Sequence, residues 1–85
     1  MTLEKVTVKP VNKREIVAKG KAIYEKIREE VEREHKGEVI VIEVESGDYF
    51  IGKTGPEASK KAREKYPHKV FYKARIGYPT YISYT

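Results

Sequence analysis

The chain has 85 residues, with 18 Lys and Arg against 13 Asp and Glu, a formal net charge of +5. That length makes one domain with a thin core, in which roughly 60–65% of the unfolded surface is buried. The absence of cysteine excludes a disulfide framework and a thiolate zinc site. No run approaches the ~18 apolar residues of a membrane span, and the N-terminus lacks a signal-peptide stretch. A cytoplasmic protein without a membrane partner is expected. Gln is absent, Asn occurs only as Asn12 and Met only as Met1, while Lys and Glu abound. Such a balance is expected of a thermophile protein.

Residues 1–11 read as an N-terminal arm or optional edge strand: Leu3, Val6 and Val8 alternate with polar residues until Pro10. The core domain spans 12–77. Asn12 with Glu15 three positions on is a capping signature. Ile16, Gly20, Ile23, Ile27 and Val31 then follow at three- and four-residue spacing, widened by Val17 and Tyr24. They predict an amphipathic helix closed by Gly37. Gly20 within its apolar stripe implies a close approach of another backbone.

Val39 to Val44 is apolar at Val39, Ile40, Val41, Ile42 and Val44, the pattern of a central strand covered on both faces. Ser46-Gly47-Asp48 predicts a turn, with Tyr49-Phe50-Ile51 returning as the hairpin partner. Thr54-Gly55-Pro56-Glu57 starts a second helix, with Ala58, Ala62 and Tyr66 facing inward and Pro67 ending it. Val70 to Ile76 alternates: Val70, Tyr72, Ala74 and Ile76 on one face, Phe71, Lys73 and Arg75 on the other. Residues 78–85 are an aromatic tail.

This order predicts an α+β fold, a single two-layer domain of order αββαβ. A right-handed crossover sets the third strand parallel to the second, and placing it beside the first gives a three-stranded mixed sheet of order 2-1-3. Both helices are expected on one face. The arm, the tail or a second subunit would then cover the other.

Charge is uneven along the chain. Glu38, Glu43, Glu45 and Asp48 meet no base between Glu38 and Asp48, whereas eight bases follow from Lys53 onward against Glu57 and Glu64. A basic C-terminal half beside an acidic hairpin suits nucleic acid, or pairing with its own acidic edge in an oligomer.

Catalytic chemistry finds little purchase. His35 and His68 flank helix ends without ligand partners, where histidine commonly meets terminal carbonyls. Asp48 reads as a turn residue, and Glu43 with Glu45 as solvated strand edge rather than a carboxylate pair. No serine occupies a nucleophile elbow, and Gly52 with Gly55 is too sparse to cradle phosphate. No catalytic residue, metal ligand or cofactor is assigned.

Two binding surfaces remain. Tyr49, Phe71, Arg75, Tyr78, Tyr81 and Tyr84 form an aromatic protein-binding set. There stacking would hold Arg75 as a recognition group. Lys60, Lys61, Arg63, Lys65, Lys69, Lys73 and Arg75 form a basic set on the second helix and third strand, suited to RNA or DNA phosphates.

The core residues Lys36-Gly37, Val39 to Glu43, Ser46-Gly47-Asp48-Tyr49, Gly52, Ala58, Lys65-Tyr66-Pro67, Phe71-Tyr72 and Arg75-Ile76-Gly77 resemble a family of small, largely uncharacterised prokaryotic proteins. That family occurs in thermophilic archaea, bacteria and cyanobacteria. It often has Ala-Ile-Asp where this chain has Val41-Ile42-Glu43. The resemblance implies no particular activity. The strand–strand–helix–strand order is also similar to antitoxins with a partial ribonuclease-H-like sheet. The expected function is a non-enzymatic protein–protein binding module, accessory or antitoxin-like, self-associating as a dimer. The alternative is an RNA- or DNA-binding protein.

Overall fold

In a computed structural model of the protein, residues 13–84 are described, with side chains from 14 to 78. The elements are α1 (Lys13–His35), β1 (Val39–Glu43), β2 (Tyr49–Gly52), α2 (Gly55–Lys65), β3 (Phe71–Arg75) and β4 (Tyr78–Tyr84). Both the arm with its optional strand and the Asn12 cap lie outside the described residues.

The αββαβ order and the central place of β1 stand as expected, with the sheet ordered β2-β1-β3-β4. All five residues of β1 are buried. β2 pairs with it antiparallel from Val39 opposite Gly52 to Ile42 opposite Tyr49. On its other side β3 pairs antiparallel, from Val39 opposite Arg75 to Glu43 opposite Phe71. The crossover does run β3 in the same direction as β2. Because β1 lies between them, every neighbouring pair is antiparallel, and the sheet is not mixed.

The tail also differs from expectation. After a tight turn at Ile76-Gly77, where Gly77 takes φ of 84°, residues Tyr78–Tyr84 return along β3 as a fourth strand. A register irregularity falls between Ala74 and Arg75.

The helices take opposite faces, so the fold has three layers rather than two. Alternation along β1 sends Ile40 and Ile42 to one side, where they pack with Ile16, Val31, Tyr72, Ala74 and Ile76 under α1. It sends Val39 and Val41 to the other, against Ala58, Ala62 and Phe71 under α2. A strand apolar on both faces needs two covers, and this chain supplies both.

Coverage is diagonal. Helix α1 lies over β3, β1 and β4, whereas α2 lies over β2 and β1. Gly20 is a close approach, but to a side chain and not to the backbone expected there, and Gly52 adds one that was not expected. Gly20 meets the Tyr72 ring, and Gly52 leaves room for the Ala58 backbone, only 2.6 Å from where a Cβ would stand. Thr54 caps α2 by accepting the Glu57 N–H, while the Glu57 carboxylate reaches back to accept the Lys53 N–H at 3.0 Å. Gly37, at φ of 91°, ends α1 and donates its N–H to Ile76 at 2.8 Å.

Candidate functional site

The acidic hairpin and the basic end of α2 meet within one chain. Glu43 is 2% exposed, and its carboxylate accepts the backbone N–H groups of Ser46 at 2.9 Å and Glu45 at 3.2 Å. Gly47, at φ of 83°, donates to the Glu43 carbonyl and closes the turn. Across the turn, Asp48 accepts hydrogen bonds from the Tyr66 hydroxyl and from Lys65 Nζ, the latter at 3.0 Å. Lys69 Nζ donates to Glu45 at 2.7 Å. Phe50 packs edge-on against Tyr66, with centroids 6.3 Å apart. The Ser-Gly-Asp and Lys-Tyr-Pro segments of the resemblance are therefore two halves of one structural clasp. Pairing of the acidic edge, foreseen across subunits, is satisfied in cis.

The clasp has a pH signature. The Tyr66 hydroxyl, followed by Lys65, holds the Asp48 carboxyl below its usual range. A carboxylate with a depressed folded pKa stabilises above its unfolded pKa, and that contribution disappears as pH falls through the folded one. We expect the urea midpoint to drop below about pH 4, and Asp48→Asn to flatten that acid limb. A limb of unchanged steepness in the variant would show that Asp48 is not the linked group. Lys65 and Lys69 are raised by hydrogen bonds to Asp48 and Glu45 respectively.

The aromatic set does not converge on one surface. Phe71 is 3% exposed, packed beneath α2 with Val39 and Val41, and is removed from the contact surface. Its face of β3 was expected to lie away from the helices, but α2 covers that end. Tyr49 and Tyr78 are the exposed large hydrophobics, at 40% and 49%. They begin the two opposite edge strands at opposite ends of β1: Tyr49 lies opposite Ile42, and Tyr78 opposite Arg75, which pairs with Val39. Arg75 is half-buried and donates to the Gly37 carbonyl at 2.8 Å. Tyr81 and Tyr84 belong to β4, and their side chains lie outside the described ones.

The basic set divides by task. Lys65 and Lys69 serve the clasp. Lys61 Nζ donates to the Ile51 carbonyl at 2.7 Å and so sits on the outer strand β2. Lys60 and Arg63 are exposed on α2, and Lys73 is half-buried on β3. Helical spacing of 100° per residue puts Lys61 on the β2 flank of α2, with Glu57 and Glu64 beyond it. Arg63 falls on the opposite flank toward β3, and Lys60 on the adjoining outer face. Sequence reasoning grouped these cations together, because charge counts carry no direction until two helix positions are anchored.

A cavity of about 290 Å³ opens between α1 and β3, floored by Tyr72 and Ala74 and rimmed by Arg28 and Glu32. Three of its charges form one ion-paired group. Arg28 meets Glu32 at 3.1 Å and Glu25 at 3.4 Å. The Tyr24 hydroxyl donates to Glu32 at 2.8 Å and accepts the Gly77 N–H at 3.2 Å, and burial raises its pKa. Tyr24 thereby fastens α1 to the β3–β4 turn, a role its place in the apolar stripe concealed. His35 Nδ1 stands 3.0 Å from Glu38, and among the described residues no cluster of three or more His, Asp or Glu could hold a metal. Likewise, among those residues, no helix is long and apolar enough to cross a membrane. Comparison of the chain with family models, curated proteins and solved structures returns no match.

Proposed function

We propose that this protein is a non-enzymatic binding module that self-associates by pairing β4 of one copy antiparallel to β4 of a second. The support is the unequal treatment of the two sheet edges. An open edge presents unpaired N–H and C=O groups that invite another strand, and proteins blunt the edges they do not use. β2 is blunted: it has four residues, and Lys61 occupies its Ile51 carbonyl. β4 has seven residues, no charged side chain, and, among the described residues, no strand on the side away from β3.

Pro79 and the nearby irregularity restrict the hairpin end of β4, which leaves Tyr81 to Tyr84 as the pairing segment. The open face that first suggested a dimer is filled by the chain's own helices, so the case rests on this edge. An accessory, antitoxin-like role suits a small domain whose named groups are spent on holding its own fold. Fold likeness alone confers no function.

Sedimentation equilibrium over a concentration series tests the reading, and a dimer is expected. Ser83→Pro and Tyr84→Pro remove N–H groups on opposite sides of β4. One of the two is expected to give a folded monomer with an unchanged circular dichroism spectrum. A wild-type chain that stays monomeric throughout overturns the proposal.

A further inference from the structure

The cavity between α1 and β3 contains one polar group that the fold does not use. Tyr72 is 2% exposed, and among the described residues no group accepts a hydrogen bond from its hydroxyl. A buried phenol in that state has given up hydration without a replacement, which proteins seldom tolerate unless the group serves something else. The base of the ring lies against Gly20. Burial, and then the Glu25 carboxylate, raises the pKa of the hydroxyl. Tyr72 therefore presents its phenol end to the part of the cavity that Glu25 lines.

At about 290 Å³ the cavity far exceeds the ~15 Å³ that holds one water, and it stands near the lower end of small-molecule sites, about 300 Å³. A single-ring or short branched molecule matches that size. The lining is mostly apolar, from Ala74, the Tyr24 and Tyr72 rings and the stems of Lys21 and Arg28. One wall is fixed in advance, because Tyr24 is tied to Glu32 on its own helix and to the Gly77 N–H.

The open groups select the polar end of the occupant. Glu32 is taken by Tyr24 and Arg28, and Arg28 also reaches Glu25. Arg75 is anchored on the Gly37 carbonyl. Lys21 is exposed on the lining and forms no ion pair among the described residues. It follows Gly20 directly on α1, and its flexible four-carbon stem gives it reach toward the Tyr72 ring. The two open groups are thus both donors. Three cations line the cavity against two acids, Glu25 and Glu32. An excess positive charge, two donors and apolar walls suit a monoanion with two acceptor oxygens on an apolar body.

We propose that this cavity binds a small carboxylate with a single-ring or short branched apolar body, its carboxylate accepting from the Tyr72 hydroxyl and the Lys21 ammonium. The site lies within one copy and stands apart from β4 pairing.

NMR titration of the intact, ¹⁵N-labelled protein with benzoate, benzamide and benzylamine tests this. Benzoate is expected to give saturable shifts at the amides of Lys21, Glu25 and Tyr72, with benzamide at least about 10-fold weaker and benzylamine without effect. Tyr72→Phe should lower benzoate affinity about 10-fold or more, since a hydrogen bond to a charged group is lost. The same variant should keep or raise the urea midpoint, because its hydroxyl has no protein partner to lose. Lys21→Gln, a surface change that leaves the core intact, should lower affinity about threefold or more, and Lys26→Gln, exposed on α1 outside the cavity, less than about twofold. The site is overturned if benzoate gives no saturable shift, or if Tyr72→Phe and Lys21→Gln both bind it as tightly as wild type. Equal binding of benzamide or benzylamine overturns the carboxylate assignment. A lowered midpoint in Tyr72→Phe assigns the hydroxyl to the fold and overturns its role toward a ligand.

Discussion

Gly20→Ala is expected to destabilise the protein by about 3 kcal/mol, against the usual helix-interior gain of about 1 kcal/mol. Gly20 lies on the buried face of α1, where a Cβ would stand 2.5 Å from Tyr72 Cδ1 and 2.6 Å from Tyr72 Cβ. The ring is 2% exposed and has little space to turn into. A rotamer change would leave Tyr72 Cβ in place, so relief needs α1 and β3 to separate along a shared core. Gly55→Ala is the control, because nothing lies within 4 Å of its added methyl. It should shift stability by less than about 1 kcal/mol. Urea denaturation of both variants measures the contrast. A Gly20 variant as stable as wild type would mean that α1 does not sit this close to the sheet.

Glu43→Ala should cost about 3 kcal/mol, and Glu43→Gln about half of that. The carboxylate is buried and accepts two backbone N–H groups, from Glu45 and Ser46. Alanine leaves both donors without their partner at the base of the turn. Glutamine keeps one acceptor and turns an amide toward the other donor. Lys69 lies close enough for the Glu43 charge to raise its pKa, so the carboxylate also helps hold the clasp. Denaturant midpoints order the three proteins. Equal stability of the alanine variant and wild type would remove Glu43 from the structural account and reopen it as a functional carboxylate.

Both residues show how far sequence reasoning reached. Gly20, a glycine in an apolar helical stripe, points to a close approach, but the expected neighbour was a backbone and the actual one is the Tyr72 ring. That neighbour was beyond reach, since Tyr72 lies 52 residues further along the chain. Glu43 was misread as solvated strand edge. Its acidity suggested water, whereas the backbone amides of its own turn provide the partners. The buried β1, the hairpin, the capped α2 and the alternation of β3 were all readable, because each depends on periodicity and capping within a few residues.

Of the candidate surfaces, the sequence supplied the cast but not the arrangement. Lys61, Lys65 and Arg63 look alike in a list. Only their angular positions around α2 separate the two that tie down β2 and the turn from the one that faces β3. Phe71 looked available beside Lys73 and Arg75, yet α2 reaches far enough along the sheet to cover it and stops short of the other two.

Composition, apolar spacing and turn chemistry by themselves determined an α+β chain with a doubly apolar strand between two partners, because those properties are local. Tertiary structure alone decided that the helices take opposite faces, that the tail becomes β4, and that the hairpin acids are neutralised within the chain. Each of these depends on which distant surfaces compete for the same apolar face or charge, and that competition is resolved only when the whole chain is packed.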